Sequence, residues 1–218
     1  GDQIAEIDVG CPGLVAFSAN GSHVVAYSFG NSEQFGPEEF VGVFDTQTGE
    51  LLASVDGEYA GLAARLTNDG AKLIVGSWVG AVHAFDLEAL IAGASPADAS
   101  LMPPIQANDP LILRLAVSPD GKTVATAAWD SPVKVFSLET GELIEEIGGP
   151  LDGQTIHNMG FHPTRPHLMV TSPPAQVRIH TLDIDELVRI GESRLTRNMT
   201  EAECQTHLGA PCEEVQPS

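Results

Sequence analysis

Hydrophobic and polar residues alternate along this chain in short bursts, and each burst is broken by a turn signal. One phrase recurs four times: FSANGSHVVAYS from Phe17, LTNDGAKLIVGS from Leu66, VSPDGKTVATAA from Val117 and FHPTRPHLMVTS from Phe161. Gly21, Gly70 and Gly121 hold the same turn position, and Arg165 takes it in the fourth copy, so the phrase returns every 44 to 51 residues. The Asn/Asp-Gly and Pro-Asp-Gly turns supply the positive φ that a tight hairpin needs. A second, more apolar strand follows each turn: Val24 to Ser28, Leu73 to Ser77, Thr123 to Ala127, Leu168 to Thr171. Such runs suit inner strands covered on both faces. A third strand ends near Phe44, Phe85, Phe136 and His180. Two copies then pass through a Thr-Gly-Glu turn (Thr48 to Glu50, Thr140 to Glu142) into a fourth strand, Leu51 to Val55 and Leu143 to Ile147.

Four short antiparallel strands per unit, repeated at this period, predict an all-β fold: a β-propeller region of four four-stranded antiparallel blades with a short C-terminal helical appendage. The blades are expected at about 10–57, 58–108, 109–149 and 150–182. Gln3 to Val9 reads as a lone fourth strand, and the last blade reads as three strands. Strand 1–9 is therefore expected to complete that blade beside Val177 to His180, as the ends of closed propellers do; the alternative is a chain cut inside a larger ring. Two insertions interrupt the rhythm. Gly30 to Glu39 lengthens a hairpin of the first blade, and Leu87 to Pro104 replaces a tight turn of the second with a short helix-like piece and a small-residue loop.

Residues 183–218 form a helical tail. Leu187, Ile190, Arg194 and Leu195 fit one helical face, and the tail is expected to dock through Leu187, Ile190 and Leu195. Thr200 and Glu203 form a capping box, in which each side chain satisfies a backbone N–H of the other. Gly209 stops that helix and Pro211 prevents its resumption.

These phrases resemble WD-repeat β-propellers over roughly residues 1–182, with SPDGKTVATAAWDSPVKVFSLETGELI, from Ser118, the nearest copy. In that family an S-x-D pattern in the hairpin between second and third strands carries a structural Asp. Asp130 matches it, whereas Val79 and Pro174 hold the equivalent places in neighbouring blades. The Gly-His before the first strand is missing, and the Trp-Asp closing the third strand is replaced by Phe44-Asp45, Phe85-Asp86, Phe136-Ser137 and His180-Thr181. The Asp-His-Ser-Trp network of the family is thus not available. The tail, Leu182 to Gly209, resembles the helical ends of WD-repeat regions in large multidomain bacterial proteins. The resemblance implies the C-terminal part of a signalling protein and brings no catalytic residues.

Composition narrows the partners. Ten Lys and Arg against 30 Asp and Glu leave a net charge of −20, and such a surface repels phosphate backbones, so no nucleic acid is expected. No apolar run approaches the ~18 residues of a membrane helix, so no membrane insertion is expected. The first residues have no basic n-region or apolar core, and the expected location is the cytoplasm. The missing initiator Met suggests a piece of a longer protein. Cys11, Cys204 and Cys212 are too few for a disulfide scaffold or a zinc site; Cys204 and Cys212 are read as free thiols, with a bridge across their turn geometrically open. The Asn20 and Asn198 sequons are read as chance matches.

Candidate chemistry is sparse. His157, His162, His167 and His180 cluster in the fourth blade, but three must converge to hold a metal. Their positions around a turn and at opposite strand ends predict that they do not. No calcium loop, phosphate-binding glycine motif, nucleophile elbow or H-E-x-x-H is present. The reading is therefore a chain with no catalytic residues, no metal and no cofactor: a protein-interaction module. An enzyme or cofactor-binding propeller, lactonase-like or quinoprotein-like, is the alternative, since Val43 to Gly57 also resembles blades of the second group. Phe35, Tyr59, Trp78 and Trp129 fall in or beside connections on one face, with Glu33, Glu38 and Glu39 as an acidic rim. A basic protein segment fits such a surface. In the competing reading Trp78 and Trp129 only cap their blades. An open arc of blades also invites self-association.

Overall fold

The repeated turn is a closed hydrogen-bond circuit. In the second blade the Thr67 hydroxyl donates to Asp69 Oδ1 (2.5 Å), which also accepts the backbone N–H of Ala71 (3.0 Å), while Thr67 Oγ1 accepts from Lys72 N (3.0 Å). Ser118 and Asp120 repeat this with Lys122 and Thr123, and Ser18 and Asn20 with Ser22 and His23. The hydroxyl bond first, then the backbone N–H, holds the Asp69 and Asp120 carboxyls below their usual range. Gly21, Gly70 and Gly121 sit at φ of +71°, +71° and +68°, where a side chain is strained. The fourth copy does without glycine: His162 Nδ1 accepts the N–H groups of Thr164 (3.1 Å) and Arg165 (3.2 Å).

The computed structural model describes residues 5–7, 12–28, 39–108, 111–129, 131–148, 156–172 and 176–194. The chain divides into two units, Gly1–His180 and Thr181–Ser218. In the first, β1 (Pro12–Phe17), β2 (His23–Ser28), β3 (Phe40–Asp45) and β4 (Leu51–Asp56) form one sheet in that order. A second sheet holds β5 (Ala63–Leu66), β6 (Lys72–Gly76), β7 (Ala81–Asp86) and the two-residue β8 (Ile105–Gln106). A third holds β9 (Arg114–Val117), β10 (Thr123–Ala127), β11 (Val133–Ser137) and β12 (Leu143–Ile147). The fourth has three strands: β13 (Asn158–Phe161), β14 (His167–Ser172) and β15 (Gln176–Thr181). The insertion in the second sheet folds as α1 (Leu87–Ile91) and α2 (Pro96–Ala99).

The first strands of successive sheets, β1, β5, β9 and β13, contact one another in that order, which is a propeller arrangement of blades. No contact of similar extent returns from β13 to β1. The cores are the seams between blades. One joins Val25, Tyr27, Val41, Val43 and Val55 of the first blade to Leu73, Val75 and Phe85 of the second and Leu87 and Leu90 of α1. The next joins Ile74, Val82 and Ile105 to Leu115, Val124 and Phe136. Central strands are buried on both faces, because a blade packs on both sides; β10 from Val124 to Ala127 is an example.

Of strand 1–9, expected to complete the last blade, only residues 5–7 are described. Ala5–Ile7, the described part of strand 1–9, forms no strand and lies against the β3–β4 turn at Gly49, with Ile7 packed on Val24, Ala26, Phe40 and Phe44 of the first blade. No strand pairs with the outer edge of β15 among the described residues. The second unit holds α3 (Ile184–Arg194), which carries Leu187 and Ile190. Leu195, the Thr200–Glu203 capping box, Cys11, Cys204 and Cys212 lie outside the described residues, as does Asp130.

Candidate partner-binding face

The β6–β7 hairpin and the described parts of the connections that enter and leave the second blade meet on one side. Trp78 N, in the β6–β7 hairpin, donates to Ala60 O in the connection from the first blade (3.2 Å). Ala107 N and Asn108 N, in the next connection, both donate to Gly80 O of that hairpin (3.0 Å each). Gln106 Nε2 adds a bond to Val79 O (2.9 Å), and Lys134 Nζ of β11 donates to Ala107 O (3.0 Å). Connections and hairpins thus clamp each other, which makes a rigid base for whatever projects above it.

The aromatics singled out from sequence divide on this base. Tyr59 ends the short 3-10 turn Gly57–Tyr59 and is half-buried. Its ring stands edge-on to His83 (5.2 Å between centroids) and Phe85 (5.7 Å), and it packs on the core of the first seam. Trp78 is half-buried against the same core, edge-on to Tyr27 at 6.3 Å. Both rings fill the seam between the first two blades. Trp129, in the β10–β11 hairpin, is 63% exposed, and Val79 in the β6–β7 hairpin is also exposed. Glu39 is exposed at the start of β3. Burial first, then the Glu39 carboxylate, raises the Tyr27 hydroxyl to about 12, so Glu39 stands close to the Tyr27–Trp78 pair. Phe35, Glu33 and Glu38 lie outside the described residues.

Several residues of this region were not legible from sequence. Tyr27 is one. Asn108 and Thr126 are others: Thr126 Oγ1 donates to Asn108 Oδ1 (2.8 Å), and both are buried between blades. Arg65 and Arg114 sit on inner strands, where burial and then the charge of Arg114 lower the Arg65 value; Arg114 Nε donates to His157 O (2.6 Å). The one sequence signal for this pair was an arginine in an otherwise apolar inner strand. Asp45, Asp86 and Ser137, read as family substitutions, each cap the next turn or helix through backbone N–H groups: Gln47 and Thr48, Ala89, and Glu139 and Thr140.

Of the histidines, His162 and His167 meet at 6.0 Å across their turn. Among the described residues no three His, Cys, Asp or Glu side chains are grouped so as to hold a metal ion. His83, not singled out from sequence, is buried on β7, stacked on Phe85, and its Nε2 has no hydrogen-bond partner. Burial lowers its pKa from the ordinary 6.5, partly offset by Glu58. The unfolded chain takes up a proton as pH falls through 6.5, while the folded imidazole resists until a lower pH. Stability is therefore full above 6.5 and declines as pH falls toward the folded value. His180, lowered mainly by burial, adds to the same window, whereas Asp69 and Asp120 act only below the usual 3.8 of a carboxylate. His83→Phe is expected to flatten part of the decline in melting temperature between about pH 7 and pH 5; melting curves of both proteins across that range check it, and parallel curves would mean that the His83 site admits solvent.

Against this geometry, comparison with known proteins gives the fold. No family model and no curated protein sequence matches the chain. Among solved structures it is similar to Hsv2 of Kluyvelomyces marxianus, with a TM-score of 0.59 and 17% identity over 80% of this chain and 50% of that one. It is also similar to the β-propeller domain of Cps50 (Swd1) of Myceliophteria thermophila, with a TM-score of 0.56 and 20% identity over 77% of this chain and 52% of that one. These neighbours are WD40 β-propellers, and the fold here is a β-propeller fold built from antiparallel blades. The chain spans about half the length of the solved propellers it matches. No helix among the described residues is long and apolar enough to cross a membrane.

Proposed function

We propose that this chain is a non-catalytic protein-interaction module, the WD-repeat part of a larger signalling or regulatory protein, arranged as propeller blades over 1–182 and a helical tail over 183–218. Its partner is a protein segment rich in Lys or Arg. The observation that carries this reading is Trp129: a large aromatic ring, 63% exposed, held on a hairpin between buried strands. Exposed tryptophans on rigid surfaces are the residues that most often dominate an interface. Val79 extends the apolar part of the face, and Glu39, with Glu33 and Glu38, supplies the charge that steers a basic segment. Tyr59 and Trp78 support the face from below. The net charge of −20 favours a basic partner at long range and makes association salt-dependent.

The test is titration of the chain with Lys/Arg-rich peptides, read by tryptophan fluorescence and by calorimetry. Trp129→Ala is expected to weaken binding by about 2 kcal/mol or more, roughly 30-fold, without lowering the melting temperature. Raised salt is expected to weaken what remains. A peptide that binds the parent and Trp129→Ala equally, at low and at high salt, places the binding face elsewhere.

A further inference from the structure

We propose that the outer edge of the third blade is a docking site for an extended protein segment in which apolar residues alternate with Lys or Arg. The segment adds a strand to β12 and sets an apolar side chain in the cleft beside it. The site goes beyond the aromatic face and does not rest on it. The β11–β12 turn stands at the opposite end of β11 from the hairpin that carries Trp129.

The outer strands of the first three blades differ in what covers them. α1 packs against β4 of the first blade, and β8 of the second is two residues long. β12 runs for five residues at the margin of its sheet, and no strand pairs with its outer edge among the described residues. Its outward N–H and C=O groups are a template for a further strand. Leu143 and Ile144, which open it, are 50% and 54% exposed. The ladder slips here: Val135 faces Glu145 and Phe136 faces Leu143, so Ile144 is the extra residue of a bulge.

The cleft lies beside this edge. Its volume is about 330 Å³, and it is lined by Met102, Pro103 and Pro104 of the second blade and by Phe136 and the Glu139–Gly141 turn of the third. Phe136 is the residue directly across the ladder from Leu143. The second-blade wall is the end of the insertion 87–104, which stands where the neighbouring blades have the tight β3–β4 and β11–β12 turns. That wall is fixed in place. Leu101 N donates to Ala84 O (2.9 Å), Ser100 Oγ donates to Met102 O (3.0 Å), and the rings of Pro103 and Pro104 lock their φ angles. A wall set before binding loses little entropy when a segment docks. Leu101, 46% exposed, and the exposed Pro103 and Pro104 continue the apolar surface out of the cleft.

Charge selects the occupant. Residues 133–147 include four glutamates and one lysine, and residues 87–104 include Glu88 and Asp98 but no Lys or Arg. The lysine, Lys134, is engaged, its Nζ donating to Ala107 O (3.0 Å). Glu139, Glu142 and Glu146 are exposed. Such an edge repels a second copy of this chain, whose net charge is −20. A strand with Lys or Arg at every second position meets the glutamates with one face and turns its apolar face to the cleft. Both walls belong to four-stranded sheets whose strands are all described, so the site needs nothing from residues outside them.

The probe is a synthetic peptide alternating Val with Lys, blocked at both ends and fluorescently labelled, titrated with the chain and read by anisotropy. Saturable binding is expected, weaker at raised salt. Leu143→Ser with Ile144→Ser, both at exposed positions, should weaken it about tenfold or more at an unchanged melting temperature. Glu139→Gln with Glu142→Gln should weaken it and flatten its salt dependence. Trp129→Ala should leave it unchanged, which separates this site from the aromatic face. Methylating the backbone nitrogens of every second peptide residue removes donors along one edge and keeps the charge. Of the two peptides so made, one methylated at Val and one at Lys, only one should lose binding, because a paired strand turns alternate N–H groups to its neighbour. No saturable binding to the parent chain, equal binding by the Leu143→Ser, Ile144→Ser variant, loss of binding on Trp129→Ala, or equal binding of the two methylated peptides would each overturn the proposal.

Discussion

Phe85→Ala is expected to lower the unfolding free energy by about 3–5 kcal/mol, the usual cost of emptying a fully buried phenylalanine site. Phe85 is 0% exposed at the end of β7, inside the seam between the first two blades. Tyr59 meets its ring edge-on and His83 stacks on it at 6.0 Å with planes 7° apart. Removal leaves a cavity whose walls are strands fixed by their own ladders, so the site collapses poorly. The rings of Tyr59 and His83 also lose their partner, each such pair being worth roughly 0.5–1.5 kcal/mol beyond area. Against a total of about 5–15 kcal/mol this is a large fraction. A chain of this size should then melt some 6–20 °C lower. Calorimetry or a denaturant series reads the change, and Phe85→Leu, which refills most of the space, should lose much less. Equal melting of Phe85→Ala and the parent would remove Phe85 from the core.

Gly61→Ala is expected to destabilise the same seam by about 1–3 kcal/mol or more, as overpacking does. The reason is contact rather than φ. A Cβ on Gly61 would stand 2.0 Å from Gly76 O, 2.7 Å from Ser77 Cα and 2.9 Å from Gly76 C. All three obstacles are backbone, so no side-chain rotation relieves them. The neighbouring bond from Trp78 N to Ala60 O ties the connection to the hairpin at this point, and moving Gly61 away would break it. Gly160→Ala is the control, because nothing lies within 4 Å of a Cβ there. If Gly61→Ala and Gly160→Ala melt alike, the two backbones are not in contact.

What the sequence by itself determined was the part of the molecule held by neighbours along the chain. The Ser/Thr-x-Asp/Asn-Gly turns span a few residues, and their hydroxyl, carboxylate and N–H groups reach one another whatever the rest of the fold does. Gly21, Gly70 and Gly121 were readable because only a left-handed φ makes glycine the natural choice there. Strand order within a blade followed from hairpin connections, and so did the blade repeat. The tertiary structure alone decided what lies between blades. Tyr59, Trp78 and Trp129 look alike as aromatics in connections, yet two are held in a seam by Tyr27, His83 and Phe85, and one faces solvent. The partners that separate them come from other strands or another blade, and burial is a property of that meeting. Gly61 reads as an ordinary loop glycine until Gly76 is brought against it. The place of Ile7 could be set only by space: its strand-like pattern named a fourth strand, and the packing on Phe44 and Gly49 showed which blade it flanks.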